Sequence, residues 1–187
     1  GFNIKSLTLK GINETLTFED TKIGYLKYYV PQGKLQNDLY VSEVFIHIKN
    51  NAEVDTLHIT GESAEHYILL FFGNELKLKK LIFENVFEGD IWPSSSTEPL
   101  YIESISFINI KRLRKYITGN RNIRNVKDIY IKQCKFDSLP ETEGNAIYHI
   151  TNSVYSTKIN GKWCDVDITN YVGTREQFIQ TYGNSSY

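Results

Sequence analysis

The sequence predicts a mainly β protein with a minor helical part, built as a solenoid of coils about 24 residues long. The first observation is a repeat of four segments that start 24 residues apart, with apolar residues at positions 1, 4 and 6 of every segment. The second is the 13 Tyr and 10 Phe, residues that favour strands. The third is the length of 187 residues, which suits a single domain. The four segments are 54–59, 78–83, 102–107 and 126–131.

One strand in each coil explains this period. A coil cannot bury its apolar face alone, so its inward side chains must lie against those of the next coil. We therefore expect Leu57, Leu81, Ile105 and Ile129, which occupy position 4 of the four segments, to form one apolar column. At position 2 the segments carry Asp55, Lys79, Glu103 and Lys127, whose alternating charges predict a ladder of ion pairs between neighbouring strands.

The fourth segment resembles a leucine-rich repeat, with Val126, Ile129 and Ile131 followed by Cys134 at position 9. The resemblance extends over about 80 residues. It implies a non-catalytic module of a bacterial surface protein that binds a protein or a glycan outside the cell or at its surface, without a cofactor. The other segments depart from the pattern at position 9, where the family often has Asn or Cys; they carry Glu62, Val86 and Ile110.

A right-handed parallel β-helix is the alternative fold, because the apolar run 67–72 between two repeats also reads as a strand. A β-helix raises the possibility of an enzyme acting on polysaccharide. Asp165 and Asp167 alternate onto one face of a strand, about 7 Å apart, a separation that a two-carboxylate hydrolase uses. A structural segment of a larger surface protein is a further possibility.

The two ends are less regular than the repeats, and we expect a single domain in three parts. Residues 1–53 form irregular coils or an N-terminal cap, 54–140 form the regular repeats, and 141–187 form a cap of a hairpin and a helix. Position 4 of the frame also matches Leu7, Leu26 and Val44, the last only 13 residues before Leu57. Thirteen residues are too few for a coil, so strands 41–48 and 54–60 are predicted to form a hairpin.

The C-terminal part carries strong local signals. Asn160-Gly161 lies between two strand-like runs, which predicts a tight hairpin turn. Thr174 is a predicted N-cap with Gln177 completing a capping box, and Gly183 is predicted to end the helix.

The polar stretch 93–99 should be an exposed loop.

Two surfaces emerge as candidate binding sites. One is the concave face of the solenoid, where the side chains between core positions face outward and mix charges with large apolar groups. Its expected contact residues are His58, Lys79, Lys80, Ile82, Glu84, Ser106, Ile108, Lys127, Tyr130 and Lys132. The other is a basic patch for an anionic partner, although pairing with the acidic segment 81–110 explains the same charges. It comprises Lys111, Arg112, Arg114, Lys115, Arg121 and Arg124.

Other functions find no support in the sequence. The formal net charge is −1, whereas a nucleic-acid-binding protein is usually basic. No glycine-rich phosphate loop, metal-binding spacing, catalytic motif or long apolar run is present. The only cysteines, Cys134 and Cys164, leave their pairing open. We expect an extracellular or cell-surface location, with any secretion signal outside the chain.

Overall fold

In a computed structural model the chain is mainly β, as predicted, and its sheets are largely parallel. The structure describes residues 1–11, 15–62, 65–73, 77–93, 100–114 and 123–183. The predicted loop at 93–99 lies almost wholly outside these residues.

The strands form two sheets between which the chain passes back and forth. The large sheet has ten strands: β1 (Phe2–Lys10), β3 (Thr21–Tyr29), β6 (Glu53–Thr60), β8 (Lys77–Val86), β10 (Leu100–Ile110), β11 (Ile123–Arg124), β12 (Asp128–Lys132), β13 (Lys135–Phe136), β14 (Ile147–Ile159) and β15 (Lys162–Gly173). The small sheet has five strands: β2 (Thr15–Glu19), β4 (Lys34–Gln36), β5 (Leu39–Lys49), β7 (His66–Phe72) and β9 (Glu88–Pro93).

The predicted apolar column is confirmed by the strand register. In the large sheet Leu57 pairs with Leu81, Leu81 with Ile105 and Ile105 with Ile129, all across parallel strands. All four side chains are fully buried. They belong to one cluster that also contains the inward side chains of the small sheet, so the two sheets share a single core.

The spacing of the apolar positions follows from a break in the strand alternation. A regular strand buries every second residue. Here two consecutive residues face outward between buried positions 1 and 4, as Lys79 and Lys80 do between Leu78 and Leu81. Alternation then resumes and buries position 6, where Phe83 lies. The same break recurs in β6 and β10, so the frame seen in the sequence is a backbone feature of these three strands.

A second recurrent feature lies at position 8 of the frame. Asn85, Asn109 and Gln133 adopt left-handed backbone conformations with φ of 55°, 53° and 55°. The Asn109 side-chain amide donates to the Asn85 side-chain oxygen at 2.9 Å. Asparagine tolerates this conformation better than most residues. One Asn–Asn hydrogen bond therefore links neighbouring strands at position 8, while Val86, Ile110 and Cys134 at position 9 are buried.

The N-terminal part corrects one prediction. Strands 41–48 and 54–60 do not form a hairpin, because β5 belongs to the small sheet and β6 to the large one. Val44 consequently lies outside the large-sheet column, in which Leu26 pairs directly with Leu57. The hairpin of β4 and β5, turning at Asn37 and Asp38, lengthens this coil and obscures its period. Leu7 does pair with Leu26, as the frame predicted.

The C-terminal part agrees with the sequence signals. The antiparallel strands β14 and β15 join through Asn160 and Gly161, both with positive φ. Helix α1 (Arg175–Tyr182) begins with the predicted capping box of Thr174 and Gln177 and ends at Gly183. Phe178 anchors it in the core against the rings of Phe136, Tyr155, Tyr171 and Tyr182.

Candidate binding surfaces

A continuous row of side chains crosses the outer face of the large sheet. It contains one residue from each successive strand, with every neighbouring pair in register. We call it the outer row; its members are Lys27, His58, Ile82, Ser106, Tyr130, His149 and Val172. With strands about 4.8 Å apart, the row is about 29 Å long.

The first half of the outer row is a charged network centred on His58. Its Nδ1 lies 2.5 Å from the Tyr25 hydroxyl and its Nε2 lies 2.7 Å from the Glu84 carboxylate. The Lys27 ammonium lies 3.7 Å from the same carboxylate. Burial lowers the pKa of His58, and the hydrogen bond with Glu84 opposes this shift. The half-buried charges of Lys27 and Glu84 are therefore held by partners within the chain.

The second half of the outer row consists of Tyr130, His149 and Val172, and it presents aromatic and apolar groups. The rings of Tyr130 and His149 stack with centroids 4.5 Å apart, and Nε2 of His149 lies 2.7 Å from Asp128. The Lys80 ammonium lies 5.7 Å from the centroid of the Tyr130 ring. Tyr130 remains 39% exposed and Val172 60% exposed. This half offers both apolar area and a positive charge.

The predicted concave-face residues divide by exposure. His58 and Ser106 are buried, with exposures of only 7% and 4%. The half-buried residues are Lys80, Ile82, Glu84 and Ile108, and the exposed ones are Lys79, Lys127, Tyr130 and Lys132.

Two ion pairs of the predicted charge ladder involve these exposed lysines. Lys79 pairs with Asp55 at 3.0 Å, and Lys127 pairs with Glu103 at 3.6 Å. The alternation of charge at position 2 thus has a structural role.

Three arginines of the predicted basic patch pair with two different acids. Arg112 and Arg114 both reach the buried Glu88 of the preceding coil, with Arg112 3.5 Å away. Burial raises the pKa of Glu88, and the two arginines oppose this shift. Arg124 instead pairs with Glu143 at 2.6 Å. Lys111 is exposed, whereas Lys115 and Arg121 lie outside the described residues.

Asp165 and Asp167 are both exposed on β15, as predicted. Asp165 accepts hydrogen bonds from Lys135 at 2.8 Å and from Ser156 at 2.6 Å. These bonds lower the pKa of Asp165, Lys135 contributing most. A carboxylate held ionised in this way suits binding, whereas a general acid needs a raised pKa.

Several absences apply to the described part of the chain. There, no group of three or more His, Cys, Asp or Glu side chains is arranged to hold a metal ion. Cys134 and Cys164 are both free, and burial raises the pKa of the Cys134 thiol to about 12. Among these same residues, no helix has the length and apolar character needed to cross a membrane.

Comparisons with protein-family models, with curated proteins and with solved structures gave no match for this chain.

Sequence reasoning missed His149 and Val172, the last members of the outer row. The 24-residue period connects Tyr130 to Ser106, Ile82 and His58, but the next step along the sheet, from Tyr130 to His149, is only 19 residues. A search for a shortened final coil, guided by the apolar residues Tyr148 and Ile150, could have found His149. Val172 reaches the row through an antiparallel strand, so no period in the sequence indicates it.

Proposed function

We propose that the chain is a solenoid of the parallel β-helix type, the alternative fold considered from the sequence, rather than a leucine-rich repeat. Support comes from the small sheet, in which β2, β5, β7 and β9 pair in parallel as a second set of stacked strands. Strands β14 and β15 with helix α1 then serve as the C-terminal cap. Such a stack presents a broad, stiff outer face.

We further propose that the chain is a non-catalytic binding module that contacts a protein through the second half of the outer row. The observation that carries this proposal is the exposed Tyr130, stacked on His149 beside Lys80 and Val172. Interfaces are enriched in aromatic residues, and their strongest contacts are aromatic or cationic anchors.

The side chains of this surface are held in place before a partner arrives. His149 is held by its Asp128 contact and by stacking, and it in turn supports the Tyr130 ring. Side chains that are already ordered lose less rotamer entropy on binding. This arrangement favours a contact role over a purely structural one, since stability alone does not require an exposed Tyr130.

A site-specific crosslinking experiment tests this proposal. A photoreactive phenylalanine analogue replaces Tyr130 in one variant and Trp92 in a matched control; Trp92, 38% exposed, belongs to the small sheet. We expect a discrete protein adduct from position 130, competed by excess unmodified chain but not by the Val172→Asp variant. Equal adducts from both positions, or equal competition by Val172→Asp, would contradict the proposal.

The absence of catalysis and the extracellular or surface location are parts of the same proposal. The ionised, hydrogen-bonded Asp165 supports a non-catalytic role. Incubation with a panel of oligosaccharides should release no reducing ends. Release that is abolished by Asp165→Asn or Asp167→Asn would instead establish the polysaccharide-acting alternative.

A further inference from the structure

A groove separate from the outer row lies where the corners of two coils meet the C-terminal hairpin. It has a volume of about 430 Å³. Its floor contains Leu113 and Phe136, which are buried and joined by a parallel bridge. The Leu113 amide donates to the Lys135 carbonyl at 2.8 Å, and the Arg112 amide donates to the Phe87 carbonyl at 2.7 Å. The groove is therefore built on paired backbone.

The wall of the groove carries an exposed indole. Trp163 is 48% exposed, and the Lys158 ammonium lies 5.1 Å from the centroid of the Trp163 ring. The face of an aromatic ring is electron-rich, so it attracts cations and the weakly positive C–H groups of a sugar ring. An exposed tryptophan at the edge of a groove provides a platform for such a ring.

Cations exceed carboxylates around the groove. The charged side chains that line it are Lys111, Arg112 and Lys135 against Asp137 and Asp165. The three cations outnumber the two carboxylates although the whole chain has a formal net charge of −1. This local excess favours an anionic ligand over a neutral one.

The groove also offers oriented polar groups next to the indole. The Asp165 carboxylate lies between the Lys135 ammonium and the Ser156 hydroxyl, at 2.8 Å and 2.6 Å. An ionised carboxylate has about four acceptor positions, so two remain for ligand hydroxyl groups. A ring platform beside a hydroxyl acceptor suits a sugar better than it suits an acidic peptide, which carries few hydroxyls.

We propose that this groove binds an anionic polysaccharide, with one sugar ring on Trp163, its hydroxyls at Asp165, and its carboxylate or sulfate groups at Lys111 and Arg112. The inference is independent of the protein contact proposed for the outer row, since the two surfaces share no residue.

Calorimetric titration of the intact chain provides the test. The probes are polygalacturonate, chondroitin sulfate, neutral dextran and polyglutamate, each at about 0.05 M and about 0.5 M salt. We expect binding of at least one of the two anionic polysaccharides at low salt, at least about tenfold weaker at high salt, with no binding of dextran. The two anionic polysaccharides distinguish a carboxylate preference from a sulfate preference.

Variants locate the site. Trp163→Ala should weaken binding about tenfold, and Trp163→Phe should restore most of it. Lys111→Gln should weaken binding by about threefold and reduce its salt dependence. The matched controls are Trp92→Ala, another exposed tryptophan, and Lys22→Gln, another exposed lysine; both lie on other surfaces and should leave affinity unchanged.

Four outcomes would overturn the proposal. They are equal binding of dextran, binding of polyglutamate as tight as that of the polysaccharides, unchanged affinity in Trp163→Ala, and no binding of either anionic polysaccharide at low salt. The polyglutamate result would point to an acidic peptide as the ligand. Circular dichroism of each variant checks that lost affinity does not reflect lost folding. The Trp163→Phe variant keeps an aromatic ring at this position and therefore tests the role of the ring separately.

Discussion

At the scale of single residues, the fold depends on fully buried apolar side chains at the centre of each coil. Leu81 lies between Leu57 and Ile105 in the column and is completely buried. Its truncation removes apolar contacts on both sides and leaves a cavity between coils that the paired strands cannot close.

Leu81→Ala should therefore lower the free energy of unfolding by about 2–5 kcal/mol. Its neighbour Ile82 faces outward and is half-buried, so Ile82→Ala should cost only about 1 kcal/mol. Urea denaturation of both variants and the unmodified chain measures the difference. Equal losses in the two variants would mean that the assigned inward and outward faces are wrong.

The sequence was most informative at this residue scale. The column at Leu57, Leu81, Ile105 and Ile129 was predictable because burial imposes apolar character at every equivalent position, and the 24-residue spacing is regular there. The burial of His58 was not predictable from the sequence, since it depends on neighbouring side chains from other strands. The Tyr25 hydroxyl that contacts His58 comes from a residue 33 positions away.

A buried histidine gives the chain a pH-dependent stability. His66 is fully buried, and its Nε2 lies 2.7 Å from the Ser42 hydroxyl, which donates to the Pro31 carbonyl. Burial lowers the pKa of His66, and nearby Glu62 opposes this shift. The folded chain therefore favours neutral His66, whereas the unfolded chain takes up a proton below about pH 6.5.

The free energy of unfolding should consequently fall as the pH drops below about 6.5, by up to about 1.4 kcal/mol per pH unit from this group. His66→Gln retains a polar side chain but cannot titrate. The variant should lose less stability than the unmodified chain between about pH 7.5 and about pH 5.5. Parallel urea titrations measure both, and identical pH dependence would show that His66 does not contribute.

At the scale of elements, the coil corner at position 8 is the feature that the sequence showed least clearly. Asn85 and Asn109 are 24 residues apart, a spacing that is visible in hindsight. The 24-residue repeat is defined by its apolar positions, whereas this corner is defined by a left-handed backbone conformation. Gln133 has the same backbone conformation in the next repeat, so residue identity alone does not mark this corner.

Asn109→Ala should lower the free energy of unfolding by about 2 kcal/mol. About half of the loss comes from the left-handed backbone and about half from the hydrogen bond to Asn85. Asn109→Gly accepts the backbone conformation and should lose only the hydrogen-bond part. Asn170→Ala, on the exposed part of β15, is the matched control and should be nearly neutral. Equal losses from the Ala and Gly variants would contradict the backbone explanation.

The second sheet was only partly predictable at this scale. The run 67–72 was identified as strand-like, and it is β7. Strand β5 was misassigned because the β4–β5 hairpin makes its coil longer than the others, with 31 residues between the register partners Leu26 and Leu57. A search for a fixed repeat length misses a coil that contains an insertion, since the insertion shifts every later position.

At the scale of the whole molecule, the outer row and the groove present two different chemistries on surfaces that share no residue. The outer row presents Tyr130 and Val172, while the groove presents Trp163 and an excess of cations. Both surfaces involve strands β14 and β15, which the 24-residue period does not include. For this reason the sequence predicted the core of the coils better than it predicted either surface.

Stacking of the coils in register is the claim on which both surfaces depend. Lys10, Tyr29, Thr60, Glu84, Ile108 and Lys132 should form one transverse row on β1, β3, β6, β8, β10 and β12. Strands about 4.8 Å apart place the backbone of Lys10 about 24 Å from that of Lys132, and Tyr29 about 19 Å from Lys132.

Pulsed electron spin resonance measures these separations directly. Spin labels are attached to cysteines introduced at Lys10 and Lys132, or at Tyr29 and Lys132, with Cys164 replaced by Ser; Cys134 is buried. Stacked coils predict a mean distance that is about 5 Å shorter for the second pair than for the first. Equal distances in the two pairs, or a longer one for the second, would contradict the stacking on which the account depends.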